Sequence, residues 1–201
     1  FSAMLDYLSQ REANAIIVLH ACCHNPTGAD LTAAQWQEVV NVIREKNLIA
    51  FIDMAYQGFA DGIAEDAVAL NLFAASGLQF LVSSSFSKSF SLYGERVGAL
   101  TLVTENKEES ARVLSQVKRV IRTNYSNPPT HGGAIVAAVL ANPALRQQWE
   151  TELAGMRERI RAMRLSLVEK LKEKNVLQDF SFVVKQRGMF SYTGLSAAQV
   201  E

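Results

Sequence analysis

The sequence predicts an α/β fold: a mostly parallel sheet with flanking helices, continued by one long helix into a second, smaller unit. Three observations predict it. Apolar runs begin near residues 16, 48 and 80, about thirty residues apart, which is the length of a βαβ repeat. Each run stops abruptly at small and polar residues, as buried strands do where they reach a cleft. A periodic apolar stripe then runs from Pro143 to about Asn175, longer than a small sheet needs for cover.

Taken in order, Phe1 to Leu5 reads as the middle of an amphipathic helix, and Ile16-Ile17-Val18-Leu19 is the first strand. The crossover helix follows. Thr32 and Gln35 form a capping box, Leu31, Trp36, Val39, Val40 and Ile43 share an apolar face, and Asn47 is a stop. Leu48 to Ile52 is the second strand. Glu65 to Ser76 has helical spacing through Val68, Leu72 and Phe73, and Gly77 closes it. Phe80-Leu81-Val82 is the third strand.

Val97 to Val103 is also strand-like, but it follows Val82 too closely for a parallel crossover, so an antiparallel strand is expected. Glu105 to Arg122 reads as an amphipathic helix with Val113, Leu114, Val117, Val120 and Ile121 on its inner face, and Thr130 to Leu140 as a shorter apolar helix.

The long helix is capped by Asn142 with Pro143 at its first position. Its stripe is Leu145, Trp149, Leu153, Met156, Ile160, Met163, Leu167 and Leu171, spaced closely enough to a heptad that a coiled coil is the alternative. At roughly 45 Å it would outrun one compact domain. A boundary near 143 is therefore expected: residues 1–142 belong to a first domain, and 143–201 are a linking helix and the beginning of a second. Phe180 to Val184 is expected as that second unit's first strand.

Parallel strands open their carboxyl ends on one side, and this brings Asn25, Asp53, Tyr56, Ser85 and Lys88 to one cleft. Lys88 lies in Ser83-Ser84-Ser85-Phe86-Ser87-Lys88-Ser89-Phe90. Alone it would be read as a surface lysine. In a partly desolvated cleft an amine loses proton affinity and can attack a carbonyl. An imine-forming lysine and a carboxylate able to hold a pyridinium proton are what proteins contribute to pyridoxal phosphate chemistry. Tyr56 and Asn25 can hydrogen-bond a ring oxygen, while Ser85, Ser87 and Arg96 can bind a phosphate dianion, the arginine with its planar fork.

The segments HNPTG (24–28), FIDMAYQGF (51–59), SSSFSKSFSLYGERVG (83–98), NYSNPPTHG (124–132) and RGMFSYTGL (187–195) resemble those of the class I aminotransferases, the aspartate and aromatic amino acid enzymes. SFSLYGERVG and RGMFSYTGLSAAQV are most similar to the bacterial tyrosine (aromatic amino acid) branch. The resemblance implies a fold-type-I pyridoxal-phosphate-dependent transferase acting on amino acid and 2-oxo acid substrates, as a homodimer with shared active sites. It implies that Lys88 carries the cofactor and moves the substrate Cα proton, and that Asp53 keeps the ring nitrogen protonated. Tyr56 and Asn25 would meet the ring oxygen, with Asn25 also near the substrate carboxylate. Ser85, Ser87 and Arg96 would hold the phosphate, and His24 would steady Asp53 from behind. Arg122 would reach across the dimer interface to a substrate's side-chain carboxylate; read from its neighbours alone, it is a basic helix end complementing the macrodipole.

Composition narrows the alternatives. Twenty basic and twenty acidic residues give zero formal charge, so no basic stripe suggests nucleic acid and no polybasic segment suggests an anionic membrane. No apolar run approaches a membrane span, and the adjacent Cys22-Cys23 suit a reduced compartment, so a cytoplasmic protein is expected. His20, Cys22, Cys23 and His24 crowd one strand end, which does not by itself make a tetrahedral metal site. Ser85-Phe86-Ser87-Lys88 also fits the S-x-x-K pattern of penicillin-recognising hydrolases, but Tyr192-Thr193-Gly194 stands where Lys-Thr-Gly is needed. Both ends look cut, in that the chain opens without Met and closes on Ser196 to Glu201, a capping box with no helix after it. An internal fragment is expected, missing half the active site. A truncated, non-catalytic relative that keeps the fold is the other reading.

Overall fold

The computed structural model describes residues 1–200; Glu201, the end of the closing run, lies outside them. Four strands, β1 (Ile16–His20), β2 (Ile49–Met54), β3 (Phe80–Ser85) and β4 (Gly98–Val103), form one sheet in the order β1-β2-β3-β4. The first three are parallel and β4 is antiparallel to β3. Register sets His20 opposite Asp53, Asp53 opposite Ser83, and Ser85 opposite Gly98. The polar ends of three strands thus form one row.

Helix α1 (Ser2–Ser9) precedes the sheet, and the two crossovers are α2 (Ala33–Glu45) and α3 (Val68–Ser76). α2 starts where expected. The Thr32 hydroxyl accepts from the Gln35 amide at 3.3 Å, and the Thr32 amide donates to the Gln35 side chain at 2.9 Å. Its Trp36, Val39, Val40 and Ile43 are buried, with Trp36 edge-on to Phe73 of α3 at 6.4 Å. α3 ends at Gly77, whose φ of 73° is left-handed and costs glycine nothing sterically. These faces and the sheet make the main core around Ile52, Met54 and Phe73.

Beyond β4 come α4 (Lys107–Asn124), α5 (Thr130–Ala141), α6 (Pro143–Glu173), α7 (Ser181–Lys185) and α8 (Ala197–Val200). The Asn142 side chain accepts from the amides of Ala144 (2.9 Å) and Leu145 (3.2 Å), which fixes the start of α6.

Four expectations are corrected. Phe180 to Val184 does not form a strand. Ser181–Lys185 is the short helix α7, because Asp179 holds its first residue through the Ser181 amide (2.8 Å) and hydroxyl (2.9 Å), while Phe180 and Val183 bury one helical turn apart against Val168. The apolar side of α4 is not an inner face either. No residue of α4 is buried, and Leu114 and Val120 are 51% and 64% exposed. The closing run does continue into a helix, the short α8.

The fourth correction, in packing terms, is α6. Its covered face runs Trp149, Leu153, Arg157, Ile160, Arg164, Val168, Leu171, in steps of four, four, three, four, four, three, while Met163 and Leu167 point outward. That is the longer repeat natural to a straight helix rather than the heptad read from the apolar residues alone. The first half of this face joins the main core, and the second half carries a small separate cluster of Val168, Phe180 and Val183.

Candidate active site

Asp53 lies near the carboxyl end of β2, and its neighbours follow from register. Ser83 Oγ is 3.5 Å from Asp53 Oδ1 on one side, and His20 Nε2 is 3.8 Å from Asp53 Oδ2 on the other. The His20 ring accepts the Asn25 amide at Nδ1 (3.2 Å), so Nδ1 is unprotonated and Nε2 carries the proton toward the carboxylate. A flanked, hydrogen-bonded carboxylate at a strand end is poised to face a cation.

Tyr56 follows β2 and is buried. Its hydroxyl oxygen is 3.5 Å from Asn25 Nδ2, which ties the loop after β1 to the loop after β2. Lys88 sits in the turn after β3 with Nζ 4.7 Å from the centre of the Tyr56 ring, a cation–π distance. Ser85 Oγ accepts the Ser87 amide at 3.2 Å, and Arg96, at left-handed φ 53°, donates to the Tyr93 carbonyl at 3.0 Å. Asp53, Ser83, Ser85, Ser87, Arg96 and Gly98 line one cavity of about 240 Å³.

The loop between β1 and α2 is fastened by Asp30, which accepts the amides of Cys23 (2.6 Å) and His24 (2.9 Å). His24, expected behind Asp53, instead bonds Thr27 Oγ1 through Nδ1 at 2.6 Å, with its ring 4.8 Å from that of His20. Burial, helped by His20, holds its imidazole below the ordinary histidine range. The histidine that reaches Asp53 is His20.

Cys22, Cys23 and Asp66 converge within 4.8 Å of one another. Both oxygens of Asp66 are occupied by backbone amides: Gly58 (2.7 Å) and Ala60 (3.1 Å) on one, Asp61 (2.8 Å) and Gly62 (3.2 Å) on the other. The Cys22 thiol is pushed far above its usual value by its hydrogen bond with Cys23 and by burial. The cluster braces the turn that follows Tyr56.

Arg122 does not join the cleft within this chain. It lies exposed near the end of α4 and donates to the Ser126 hydroxyl. Asn25, Asp53, Tyr56, Ser85, Ser87, Lys88 and Arg96 are brought together at the strand ends. His20 and Ser83 were passed over, although their places at strand ends beside Asp53 could have marked them.

The donor set has a carboxylate, hydroxyls and a guanidinium around one cavity, with an amine and a phenol beside each other at the neighbouring strand ends. It suits a flat ring with a basic nitrogen, an oxygen substituent and a dianionic tail.

The family model for aminotransferase class I and II matches residues 1–201. The chain is 63% identical to an aspartate aminotransferase of Pseudomonas aeruginosa, covering 100% of this chain and 50% of that protein. It is 52% identical to an aromatic-amino-acid aminotransferase of Escherichia coli, covering 100% and 51%. Among solved structures, an aromatic-amino-acid aminotransferase from Burkholderia pseudomallei covalently bound to pyridoxal phosphate superposes with a TM-score of 0.98 at 64% identity, covering 99% of this chain and 50% of that one. The chain therefore spans about half the length of the relatives it matches. With its sheet order, its strand-end residues and a match over its whole length, the chain belongs to the aminotransferase class I and II family.

Proposed function

We propose that the full-length protein is a pyridoxal-phosphate-dependent aminotransferase that moves an amino group between an aromatic or dicarboxylic amino acid and a 2-oxo acid. The observation that carries this is the placement of Asp53, Tyr56 and Lys88 at adjacent strand ends, with the Lys88 amine 4.7 Å over the Tyr56 ring. When bound, the cofactor supplies the electron sink that amino-group transfer requires.

The protein's residues supply the rest. Lys88 Nζ would hold the cofactor and would accept and return the substrate's Cα proton. Asp53, flanked by His20 and Ser83, would face the ring nitrogen and hold a proton there. Tyr56 would donate its hydroxyl to the ring oxygen, with Asn25 beside it. Ser85, Ser87 and Arg96, which line one cavity, would anchor the phosphate.

In this reading the protein is a cytoplasmic homodimer, and Arg122, exposed beside Ser126, serves the partner's cleft. The boundary lies near 143. Support for it comes from α6, whose first half packs in the main core and whose second half carries the separate small cluster. Among the described residues no helix is long and apolar enough to cross a membrane. Purified full-length protein should show a visible cofactor band and transfer amino groups from tyrosine, phenylalanine or aspartate to 2-oxoglutarate. Absence of both band and transfer refutes the reading.

A further inference from the structure

Arg164 is a charged residue in the middle of the covered face of α6, only 7% exposed. Among the described residues it has no carboxylate within ion-pair distance; its guanidinium is satisfied by one short segment. Nε donates to Ser191 Oγ (2.8 Å), Nη1 to the Gln186 carbonyl (3.0 Å), and Nη2 to the carbonyls of Gly188 (2.6 Å) and Phe190 (2.7 Å). The Gln186 side chain bonds the Tyr192 carbonyl at 2.8 Å and closes the segment into a strap. A planar fork with five donors can hold three carbonyls and a hydroxyl at once; an ammonium cannot match that geometry.

What the strap touches gives it a role. The Arg187 amide donates to the Gly28 carbonyl (2.8 Å) and the Tyr192 amide to that of Thr27 (3.4 Å). Gly28 has φ 67°, and a Cβ there would stand 2.6 Å from the Phe190 carbonyl oxygen, so the strap lies directly on the loop that carries Asn25. A Cβ on Gly188 would stand 2.4 Å from that of Cys23. The Phe190 ring meets Tyr56 edge-on, with centroids 5.8 Å apart. One strap therefore touches Tyr56 directly and holds the loop that carries its partner Asn25.

We propose that Arg164 is a positioning residue: by clamping residues 186–192 it fixes the Tyr56 hydroxyl and Asn25 against the oxygen of the cofactor ring. This rests on the aminotransferase reading above. A hydroxyl that donates to the ring oxygen favours its deprotonated form, so loosening the strap raises the pH at which the bound chromophore titrates.

The test is a pH titration of the visible absorption band of the full-length, cofactor-loaded protein and of its Arg164→Met, Arg164→Lys and Phe190→Leu variants. The midpoint should rise in Arg164→Met by about half a pH unit or more, roughly a threefold gain in proton affinity. Arg164→Lys should not restore it, and Phe190→Leu should shift it the same way. In a Tyr56→Phe background, adding Arg164→Met should produce less than half that shift, which a merely structural role would leave whole. If Arg164→Met does not fold, Phe190→Leu alone decides. Unchanged midpoints in variants that keep the band, or a full shift in the Tyr56→Phe background, overturn the proposal. A wild-type protein with no band removes the aminotransferase reading and this one with it.

Discussion

Lys88 Nζ stands over the face of the Tyr56 ring, 4.7 Å from its centre, so the amine at the end of β3 and the phenol after β2 share one cleft although 32 residues separate them. The sheet explains the meeting. Parallel neighbours in register deliver their carboxyl ends to the same edge, and each functional side chain needs to be only a residue or a turn beyond it.

Asp53→Asn removes the charge proposed to hold a proton on the ring nitrogen while keeping the side chain's shape. The rate of Cα proton removal, followed in single turnovers with Cα-deuterated substrate, should fall about 10²- to 10³-fold, as when one preorganised group is lost. A near-native rate would leave Asp53 a structural strand-end residue.

Arg122→Leu addresses selectivity. A charge-assisted pair with a substrate carboxylate contributes about 2 to 5 kcal/mol, so kcat/KM for aspartate should fall at least roughly thirtyfold while that for phenylalanine changes little. Equal losses for both substrates would mean that Arg122 supports the fold or an interface instead.

Asp66→Asn replaces a buried carboxylate that accepts four backbone amides with a group that can accept at only one end. Two amides lose their partner. The unfolding free energy should drop by about 2 to 4 kcal/mol with an unchanged denaturant slope. A change below about 0.5 kcal/mol would show that the 58–62 turn holds without it.

His24 sets a pH dependence. Burial, reinforced by His20, keeps its folded value below the ordinary one, so on acidification the unfolded chain takes up this proton first. Stability from this group is complete above about pH 6.5 and is lost as pH falls through the lower, folded value. The drop in Tm between about pH 7.5 and 5.5 should be smaller in His24→Gln than in the wild type. Identical drops would remove His24 from the account.

Where local chemistry and tertiary packing agreed, the fold was legible in the sequence. The Thr32–Gln35 box, Gly77, Asn142 and the thirty-residue spacing each fixed an element, and the short link before β4 fixed its direction. Phe180 to Val184 misled because five residues, four of them apolar, do not reveal their period; the Asp179–Ser181 hydrogen bonds and the surface of α6 favour the helix. The stripe on α6 misled for a related reason. Apolar residues alone traced a heptad through Met163 and Leu167, and the true face continued through Arg164, a charge whose partners are backbone carbonyls that no periodicity can display. In the same way Asp53 and Lys88 were visible as odd residues at strand ends, whereas His20's contact with Asp53 depended on register.

The central claim is that the amine over Tyr56 is the one that carries the cofactor. It is tested most directly by borohydride reduction of the full-length, cofactor-loaded protein, followed by peptide mass mapping. The account predicts a single pyridoxyl adduct on the peptide containing Ser87-Lys88-Ser89, and none there in Lys88→Ala. An adduct on another lysine, or an undiminished covalent adduct in Lys88→Ala, would contradict it.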